Sequence, residues 1–263
     1  MKSLDSKPST NSLSTTVRQV VCTKWGVKFP ADEVNRLYRM VRHAVSGPLR
    51  FVCSTDHADG IDPAVEVVPL VEVPVVGDRD NRGWKKLGLF ASSDQLAGLA
   101  GPTLYLDLDV VIVDSLDPLF EIDGAFRVIK DYKPFRYRHG FTGNTSTFRF
   151  NAGAHADLLD ELAEMGSAVL SRYRNEQEFI SDYMRRRGLL DYWPKPWCAS
   201  FKHDCVKPLP FGAFQAPTKP AGAKLIVFHG TPKPEEALVG GIGNKWYRVI
   251  KAAPWLKPYM DVE

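Results

Sequence analysis

Two acidic residues, Asp107 and Asp109, interrupt an otherwise apolar run at residues 103–113 that has the composition of a buried strand. A carboxylate is costly to bury unless it is paired, hydrogen-bonded or bound to a metal ion. Residues two apart on an extended strand project to the same side. The pair therefore indicates either two oxygen ligands for Mg²⁺ or Mn²⁺ holding a phosphate, or a strand that ends at Leu106 and a solvated acidic turn.

Composition narrows the class of protein. The 263 residues suffice for one large α/β domain or two small ones, and the 44% apolar and 25% charged fractions are ordinary for a soluble globular protein. A net charge of only +3 does not predict a nucleic-acid partner. No apolar stretch approaches the ~18 residues of a transmembrane helix.

The first 16 residues are polar and contain no apolar core of a secretory signal, so we expect a disordered tail before a single domain at residues 17–263. No Cys-x-x-Cys pair occurs among the four cysteines, which argues against a zinc site and for reduced thiols in the cytoplasm. These cysteines are Cys22, Cys53, Cys198 and Cys205.

Strand-like and helix-like segments alternate along the chain. We predict strands at residues 17–22, 49–53, 65–70, 103–113, 126–129, 145–150 and 224–230. We predict helices at residues 32–45, 84–99, 154–165 and 177–187, and a long ordered loop at residues 193–220. The alternation predicts an α/β fold, a mainly parallel central sheet flanked by helices, with ligands bound at the carboxyl ends of its strands.

A second motif, Phe228-His-Gly-Thr-Pro-Lys-Pro234, follows the last apolar run. Together with Leu104-Tyr-Leu-Asp-Leu-Asp-Val110, it resembles the paired motifs of retaining glycosyltransferase family 8, the glycogenin and bacterial galactosyltransferase group, on the GT-A fold. The resemblance runs from about residue 17 to the C-terminus. It implies one GT-A (Rossmann-like) domain.

The resemblance also implies a metal site. Asp107, Asp109 and His229 would bind Mn²⁺, or Mg²⁺, with Asp107 also contacting the nucleotide-diphosphate sugar; an imidazole ligand suits Mn²⁺ better than Mg²⁺. Lys233, four residues after His229, would place an ammonium group on the same diphosphate. The alternative for His229 is a strand-end histidine whose hydrogen bonds are satisfied within the protein.

Further residues match the family around the sugar. Lys86 would point to the donor and Lys85 to solvent, unless both are surface lysines. Glu176 and Gln177 stand where the family has an Asp-Gln pair below the reacting sugar, although they could instead cap a helix. The family's Asn element could be Asn144 or Asn151. The strand expected after this asparagine favours Asn144, which leaves Asn151 as a helix cap.

At the nucleotide end, the resemblance assigns base and ribose contacts to the residues after the first strand. Thr23 and Lys24 are the candidates there, and Trp25 is either a base contact or a core residue. Thr55 and Asp56 are a weaker alternative. A basic cluster fits an anionic acceptor, a membrane surface or a solvated face; it comprises Lys195, Lys202, His203 and Lys207.

The expected function is metal-dependent transfer of a hexose, with retained configuration, from a nucleotide-diphosphate sugar such as a UDP-sugar to a carbohydrate or lipid-linked acceptor. Peripheral contact with a membrane would suit a lipid-linked acceptor. Two alternatives stay open: a nucleotidyltransferase, which the single glycine after the first strand disfavours, and a sugar-nucleotide-binding protein of the same fold without catalysis.

Overall fold

The computed structural model describes residues 16–74, 83–132, 140–208, 211–242 and 249–262. Residues 1–15 of the predicted tail lie outside this part of the chain. The described strands are β1 Arg18–Lys24, β2 Leu49–Thr55, β3 Glu66–Pro69, β4 Gly101–Leu106, β5 Val110–Ile112, β6 Phe126–Lys130, β7 Gly143–Ala152, β8 Leu190–Tyr192, β9 Cys198–Ser200, β10 Leu225–Val227, β11 Gly241–Ile242 and β12 Val249–Ile250.

Helices occupy the connections between these strands. The described α-helices are α1 Ala31–Ala44, α2 Asp117–Glu121, α3 Asp157–Met165, α4 Ala168–Arg172, α5 Glu176–Arg186, α6 Pro234–Val239 and α7 Lys257–Met260. Short 3-10 helices span Trp84–Phe90, Ser93–Leu96, Phe211–Ala213 and Pro254–Leu256, and a π-helical turn spans Phe201–Cys205.

The main sheet has seven strands in the order β3-β2-β1-β4-β7-β6-β8. Strands β3, β2, β1 and β4 are parallel, and β6 is parallel to β8. Strand β7 runs antiparallel to both β4 and β6. The predicted α/β fold with a mostly parallel sheet is therefore confirmed, with β7 as the antiparallel member.

Both faces of the sheet are covered, which explains why its strands are continuous apolar runs. Successive side chains of β1 point to opposite faces, because the period of a strand is two residues. Val20 packs in the cluster that contains Leu37 of α1, whereas Val21 packs with Phe148 and with Phe179 of α5. The four cysteines are free thiols buried in the protein.

The predicted strand at residues 103–113 is wrong as a single element. Strand β4 ends at Leu106, and after a turn the chain continues as β5, which pairs with β10 in a second sheet of order β5-β10-β9. Asp107 and Asp109 therefore lie in the turn that joins the two sheets. This turn is the second alternative from the sequence, but Leu108 within it is buried, so the turn is not a solvated one.

The predicted helix at residues 84–99 is also wrong. It divides into the 3-10 helices Trp84–Phe90 and Ser93–Leu96, because Ala91 and Ser92 are extended between them. Gly88 adds a local constraint, since a Cβ atom there would lie 2.9 Å from the Val71 carbonyl oxygen.

Two further segments differ from the prediction. The expected loop at residues 193–220 contains β9 and the π-helical turn, and β8 precedes it. Strand β7 extends to Ala152 and α3 starts only at Asp157, so Asn151 belongs to the strand and does not cap the helix. Within the described residues, no helix combines the length and the apolar character needed to cross a bilayer.

Arg149 connects β7 to the segment after β5. Its buried guanidinium donates hydrogen bonds to the carbonyl oxygens of Leu119, Phe120 and Gly124, at 3.0, 2.9 and 2.8 Å, and burial lowers its pKa. We expect Arg149→Met to lower the free energy of unfolding by roughly 2–4 kcal/mol, because it leaves these oxygens without their donor. Urea denaturation measures the loss. The exposed Arg42→Met on α1 is the control and should cost less than about 0.5 kcal/mol; equal losses would contradict the structural role of Arg149.

Candidate functional site

A cavity of about 640 Å³ opens at the carboxyl ends of β1 and β4. Most residues predicted for the site line this cavity: Thr23, Lys86, Asp107, Asp109, Asn144, Glu176, Gln177 and His229. Lys24 and Lys233 do not line it, although Lys233 reaches it through an ion pair. Parallel strands place their carboxyl ends on one edge of a sheet, which is why the loops after β1 and β4 meet here.

Asp107 is held by two buried groups. Its Oδ1 atom lies 2.9 Å from Lys86 Nζ and accepts a hydrogen bond of 2.6 Å from the Tyr105 hydroxyl. Burial raises the pKa of Tyr105 well above its usual value, and Asp107 raises it further, so this hydroxyl stays protonated and donates. Lys86 is only 4% exposed, so its ion pair with Asp107 is poorly screened by solvent.

Asp109 is paired with the second lysine. Lys233 Nζ donates to Asp109 Oδ2 at 2.7 Å and lies 4.7 Å from the centroid of the Phe29 ring. Burial raises the pKa of Asp109, and the charge of Asp107 acts in the same direction, while Lys233 opposes both. Lys233 immediately precedes α6, and its backbone N–H donates to Glu236 Oε2 at 2.8 Å, which fixes the backbone at this point.

His229 follows β10, and its ring lines the cavity. Its Nε2 atom lies 2.7 Å from Ser200 Oγ, and Ser200 is fully buried at the end of β9. Ser200 Oγ also accepts a hydrogen bond from the backbone N–H of His203 in the π-helical turn. Lys202, in the same turn, donates to the carbonyl oxygen of His229. Strand β9 of the second sheet and the π-helical turn therefore hold His229 in position together.

Glu176 is the first residue of α5, and its side chain points into the cavity. Its carboxylate accepts a hydrogen bond of 3.2 Å from Thr145 Oγ1. Burial raises the pKa of Glu176 to about 7, against the opposing effect of the Lys86 charge. Gly83 leaves room for the Glu176 carboxylate, because a Cβ atom on residue 83 would lie 2.5 Å from Glu176 Oε1.

Other residues cap α5, so Glu176 and Gln177 do not have that role. The side chain of Asn175 accepts the N–H of Glu178 at 3.1 Å, and Glu178 Oε2 accepts the N–H of Arg174 at 2.7 Å. Gln177 Oε1 instead accepts the backbone N–H of Thr145 at 2.9 Å. The helix-cap alternative from the sequence is therefore wrong.

Strand β7 supplies the remaining wall through Asn144, Thr145 and Ser146. Asn144 Oδ1 accepts the N–H of Ser146 at 3.0 Å, while Asn151 lies outside the lining residues. Thr145 also bonds to Lys86, Glu176 and Gln177. Sequence reasoning missed Thr145, because one threonine in an alternating strand carries no distinguishing signal.

Several solved structures with similar folds are glycosyltransferases. The galactosyltransferase LgtC, crystallised with donor and acceptor sugar analogues, aligns with a TM-score of 0.54 at 14% identity over 82% of this chain and 88% of LgtC. The glycosyltransferase GlyE from Streptococcus pneumoniae TIGR4 aligns with a TM-score of 0.58 at 12% identity over 94% of this chain and 61% of GlyE. The bifunctional glycosyltransferase WbbM aligns with a TM-score of 0.51 at 13% identity, over 87% and 48%.

The chain has the GT-A glycosyltransferase fold. No protein-family model matches the sequence, and no curated protein matches it. At these identities the likeness concerns the fold, so the site has to be judged from its own geometry.

The GT-A fold raises the question of a metal ion. The two aspartates are chemically suited to bind a metal ion. Each uses a single oxygen in its ion pair, and no hydrogen bond to Asp107 Oδ2 or Asp109 Oδ1 comes from the described part of the chain. His229 is not grouped with them in the described part of the chain, and its contact with Ser200 occupies one of its two ring nitrogens. Among the described residues, no three side chains of His, Cys, Asp or Glu are grouped to hold a metal. The arrangement fits a two-carboxylate site and not the expected three-ligand site.

The cavity near β1 differs from what the sequence predicts for the contacts with a nucleotide. Lys24 is buried and donates to the His57 carbonyl oxygen at 3.1 Å, so it stabilises the loop after β2 and does not line the cavity. Thr23 lines the cavity, and its buried Oγ1 has no hydrogen-bond partner in the described part of the chain. Lys28 and Phe29, together with Trp25, also line it. Neither Lys28 nor Phe29 belongs to a sequence motif that distinguishes it.

The weaker candidates divide into two groups. Asp56 accepts the backbone N–H of Gly26 through both carboxylate oxygens, at 3.0 and 3.1 Å, and lies 3.9 Å from Lys85 Nζ. It therefore supports the loop after β1 without lining the cavity.

In the predicted basic cluster, Lys202 is half-buried beside His229, while three members are exposed: Lys195, His203 and Lys207.

Glu176 should make stability depend on pH. A carboxyl group whose folded-state pKa is raised binds more protons in the folded state, so the protein loses stability as the pH rises from the usual value of 4.5 to about 7. Over this window we expect Glu176→Gln to gain roughly 2–4 kcal/mol of unfolding free energy relative to wild type. Urea denaturation at a series of pH values measures the difference.

The control for this experiment is Gln177→Met, which changes the neighbouring side chain of the same cavity without removing a titratable group. Its unfolding free energy should run parallel to that of wild type across the same pH window. A constant difference between Glu176→Gln and wild type would show that Glu176 is not perturbed by burial.

Proposed function

We propose that this chain transfers a hexose from a nucleotide-diphosphate sugar, a UDP-sugar in the first instance, to a carbohydrate or lipid-linked acceptor, with retention of configuration. One observation carries the proposal. The carboxylates Asp107 and Asp109, each paired with a lysine, line the same cavity as the buried Glu176 and the partly buried Gln177. One end of the cavity suits a diphosphate, and the other suits a sugar that develops positive charge.

The diphosphate end is defined by cationic side chains. Lys28 lines the cavity and Lys233 reaches it beside Asp109, so both can place an ammonium group near a diphosphate. Charge builds on the leaving diphosphate when the glycosidic bond breaks, and fixed cations stabilise that charge. We propose that Asp107 and Asp109 hold Mg²⁺ or Mn²⁺ together with the diphosphate, as carboxylates commonly do for Mg²⁺. This ion would supply Lewis-acid stabilisation of the leaving group.

The base of the nucleotide has candidate contacts near β1. Trp25 and Phe29 line the cavity, as does Thr23, whose hydroxyl is buried and has no partner in the described part of the chain. Aromatic faces stack on bases, and an unsatisfied buried hydroxyl gains a hydrogen bond from a polar ligand.

At the sugar end, Glu176 and Gln177 are proposed to face the anomeric carbon. The bond from this carbon to the phosphate oxygen breaks, and the acceptor oxygen forms the new bond on the same face. The departing phosphate oxygen takes the acceptor's proton, so no separate base is required. The Glu176 carboxylate would stabilise the positive charge on the sugar, and the Gln177 amide, fixed by the Thr145 N–H, would lie alongside it.

Incubation with a panel of nucleotide sugars and a divalent cation tests the proposal directly. We expect at least one donor to release its nucleoside diphosphate faster in the presence of the protein, and Asp109→Asn to reduce the rate by about 100-fold or more, because it removes charge from the metal and lysine site. The control is Asp94→Asn, an exposed carboxylate outside the cavity, which should retain the wild-type rate.

Three outcomes would contradict the proposal. Release of pyrophosphate would indicate a nucleotidyltransferase. Donor binding without turnover would indicate a binding protein of the same fold. No binding and no turnover with any donor, in a folded protein, would exclude a nucleotide sugar as the ligand.

The arrangement around His229 gives a separate prediction for the cation. Because His229 is not grouped with the two aspartates in the described part of the chain, we expect His229→Ala to bind Mn²⁺ in the presence of UDP within about threefold of wild type, whereas Asp109→Asn should lose binding. Electron paramagnetic resonance of free Mn²⁺ measures both. Equal losses in the two variants would show that His229 is a metal ligand.

A further inference from the structure

Thr145 bonds through each of its three polar groups to a different side chain of the cavity. Its N–H donates to Gln177 Oε1 at 2.9 Å, its carbonyl oxygen accepts from Lys86 Nζ at 2.9 Å, and its hydroxyl donates to Glu176 Oε1 at 3.2 Å. Lys86 Nζ also lies 3.4 Å from the hydroxyl oxygen. Thr145 is 1% exposed, so water does not compete for these bonds.

We propose that Thr145 is a positioning residue of this site: its hydroxyl fixes the Glu176 carboxylate and the Lys86 ammonium relative to each other. This inference rests on the proposed function, because it matters only if a sugar reacts against Glu176. Thr145 acts through its neighbours and takes no part in bond making. Its role is to hold the Glu176 carboxylate at the sugar end and the Lys86 ammonium at the diphosphate end in a fixed relative position.

The hydroxyl is the part of Thr145 that depends on the residue type. The bonds to Gln177 and to the Lys86 ammonium use the backbone N–H and carbonyl, which any residue except proline would supply at this point of β7. Only serine or threonine also offers a hydroxyl that donates to Glu176 and accepts from Lys86. Replacement by valine keeps the shape and β-branching of threonine and removes this one group.

Glu176 has little room to adjust if the hydroxyl is lost. On its other side stands Gly83, where even a single added carbon would lie between 2.5 and 2.9 Å from the carboxyl atoms of Glu176. The backbone of Gly83 has φ of +85°, which favours glycine. Glu176 is thus confined between Gly83 and Thr145.

The charge state of Glu176 provides a readout specific to this hydrogen bond. Three groups face the carboxyl from other elements: Lys86 from the 3-10 helix, Asp107 from the turn after β4 and Thr145 from β7. Burial and Asp107 raise the pKa of Glu176, whereas Lys86 and the Thr145 hydroxyl lower it. Removing the hydroxyl therefore moves this pKa upward, to above about 7.

The experiment compares Thr145→Val and Thr145→Ser with wild type in a transfer assay, measuring kcat, KM for the donor and the pH profile of kcat. We expect Thr145→Val to lower kcat by about 10- to 100-fold, the effect of losing a hydrogen bond to a charged group, with KM changed less than about threefold. Its acidic limb should lie at higher pH than that of wild type, because ionised Glu176 is the active form. Thr145→Ser should restore most of the rate and the wild-type limb.

Thr147→Val is the matched control. Thr147 lies two residues along β7, is fully buried and donates to the Tyr105 carbonyl oxygen at 2.8 Å, but it does not line the cavity. This variant loses a buried hydroxyl in the same strand and should retain the wild-type kcat and acidic limb. Circular dichroism and thermal unfolding establish that each variant is folded before its rate is compared.

The outcomes separate the inference from the function on which it rests. An inactive wild type across the donor panel would overturn the proposed function. An active wild type with an equally active Thr145→Val, or with an unshifted acidic limb in that variant, would overturn the role of Thr145 alone. A Thr145→Ser as impaired as Thr145→Val, or a Thr147→Val equally impaired, would show that packing and not the hydroxyl is responsible.

Discussion

The antiparallel pairing of β7 with β4 is the constraint on which the site depends. This register sets Leu106 opposite Thr147, and the backbone N–H of Asp107 then donates to the Ser146 carbonyl oxygen at 2.9 Å. Asp107 thereby comes beside residues 144–146, although they are far apart in the sequence. A register shift by one residue would turn the polar side chains of this segment to the opposite face of the sheet. The approach of Asp107 to residues 144–146 follows from this pairing.

Charge balance is the second organising feature. Two carboxylates at the end of β4 would repel each other in a partly buried site, and each is paired with a lysine from a different part of the chain. Lys86 lies in the 3-10 helix Trp84–Phe90, and Lys233 is the residue immediately before α6. The pairs hold the turn in place and at the same time bring cations to the position where a diphosphate would bind. Lys86 also connects this charge system to Thr145 and, through it, to Glu176.

The sequence predicted the fold well because its strands are long apolar runs separated by helical periodicity. It also selected most of the cavity residues, since carboxylates and a histidine at the ends of apolar runs are conspicuous. It missed groups defined only by tertiary contacts. Ser200 holds His229 from a strand inside a segment predicted as loop, and Thr145 acquires its role from register alone.

Lys24 shows the opposite error. A lysine just after an apolar strand is predicted to contact the ligand. In the structure, the Lys24 ammonium instead donates a hydrogen bond to the His57 carbonyl oxygen in the neighbouring loop. The helix predicted at residues 84–99 failed for a related reason, because apolar spacing cannot distinguish an α-helix from two short 3-10 helices. In both cases the structure depends on contacts with a neighbouring segment, and a local sequence pattern does not reveal such contacts.

In the proposed function, one cavity holds a nucleotide-diphosphate sugar with its diphosphate near Lys233 and Asp109 and its hexose against Glu176 and Gln177. A crystal structure of the protein with a non-hydrolysable nucleotide sugar and Mg²⁺ tests it most directly. We expect the diphosphate within hydrogen-bonding distance of Lys233 and the anomeric carbon between Asp107 and Gln177. A nucleotide bound outside this cavity, or a hexose directed away from Glu176 and Gln177, would contradict it.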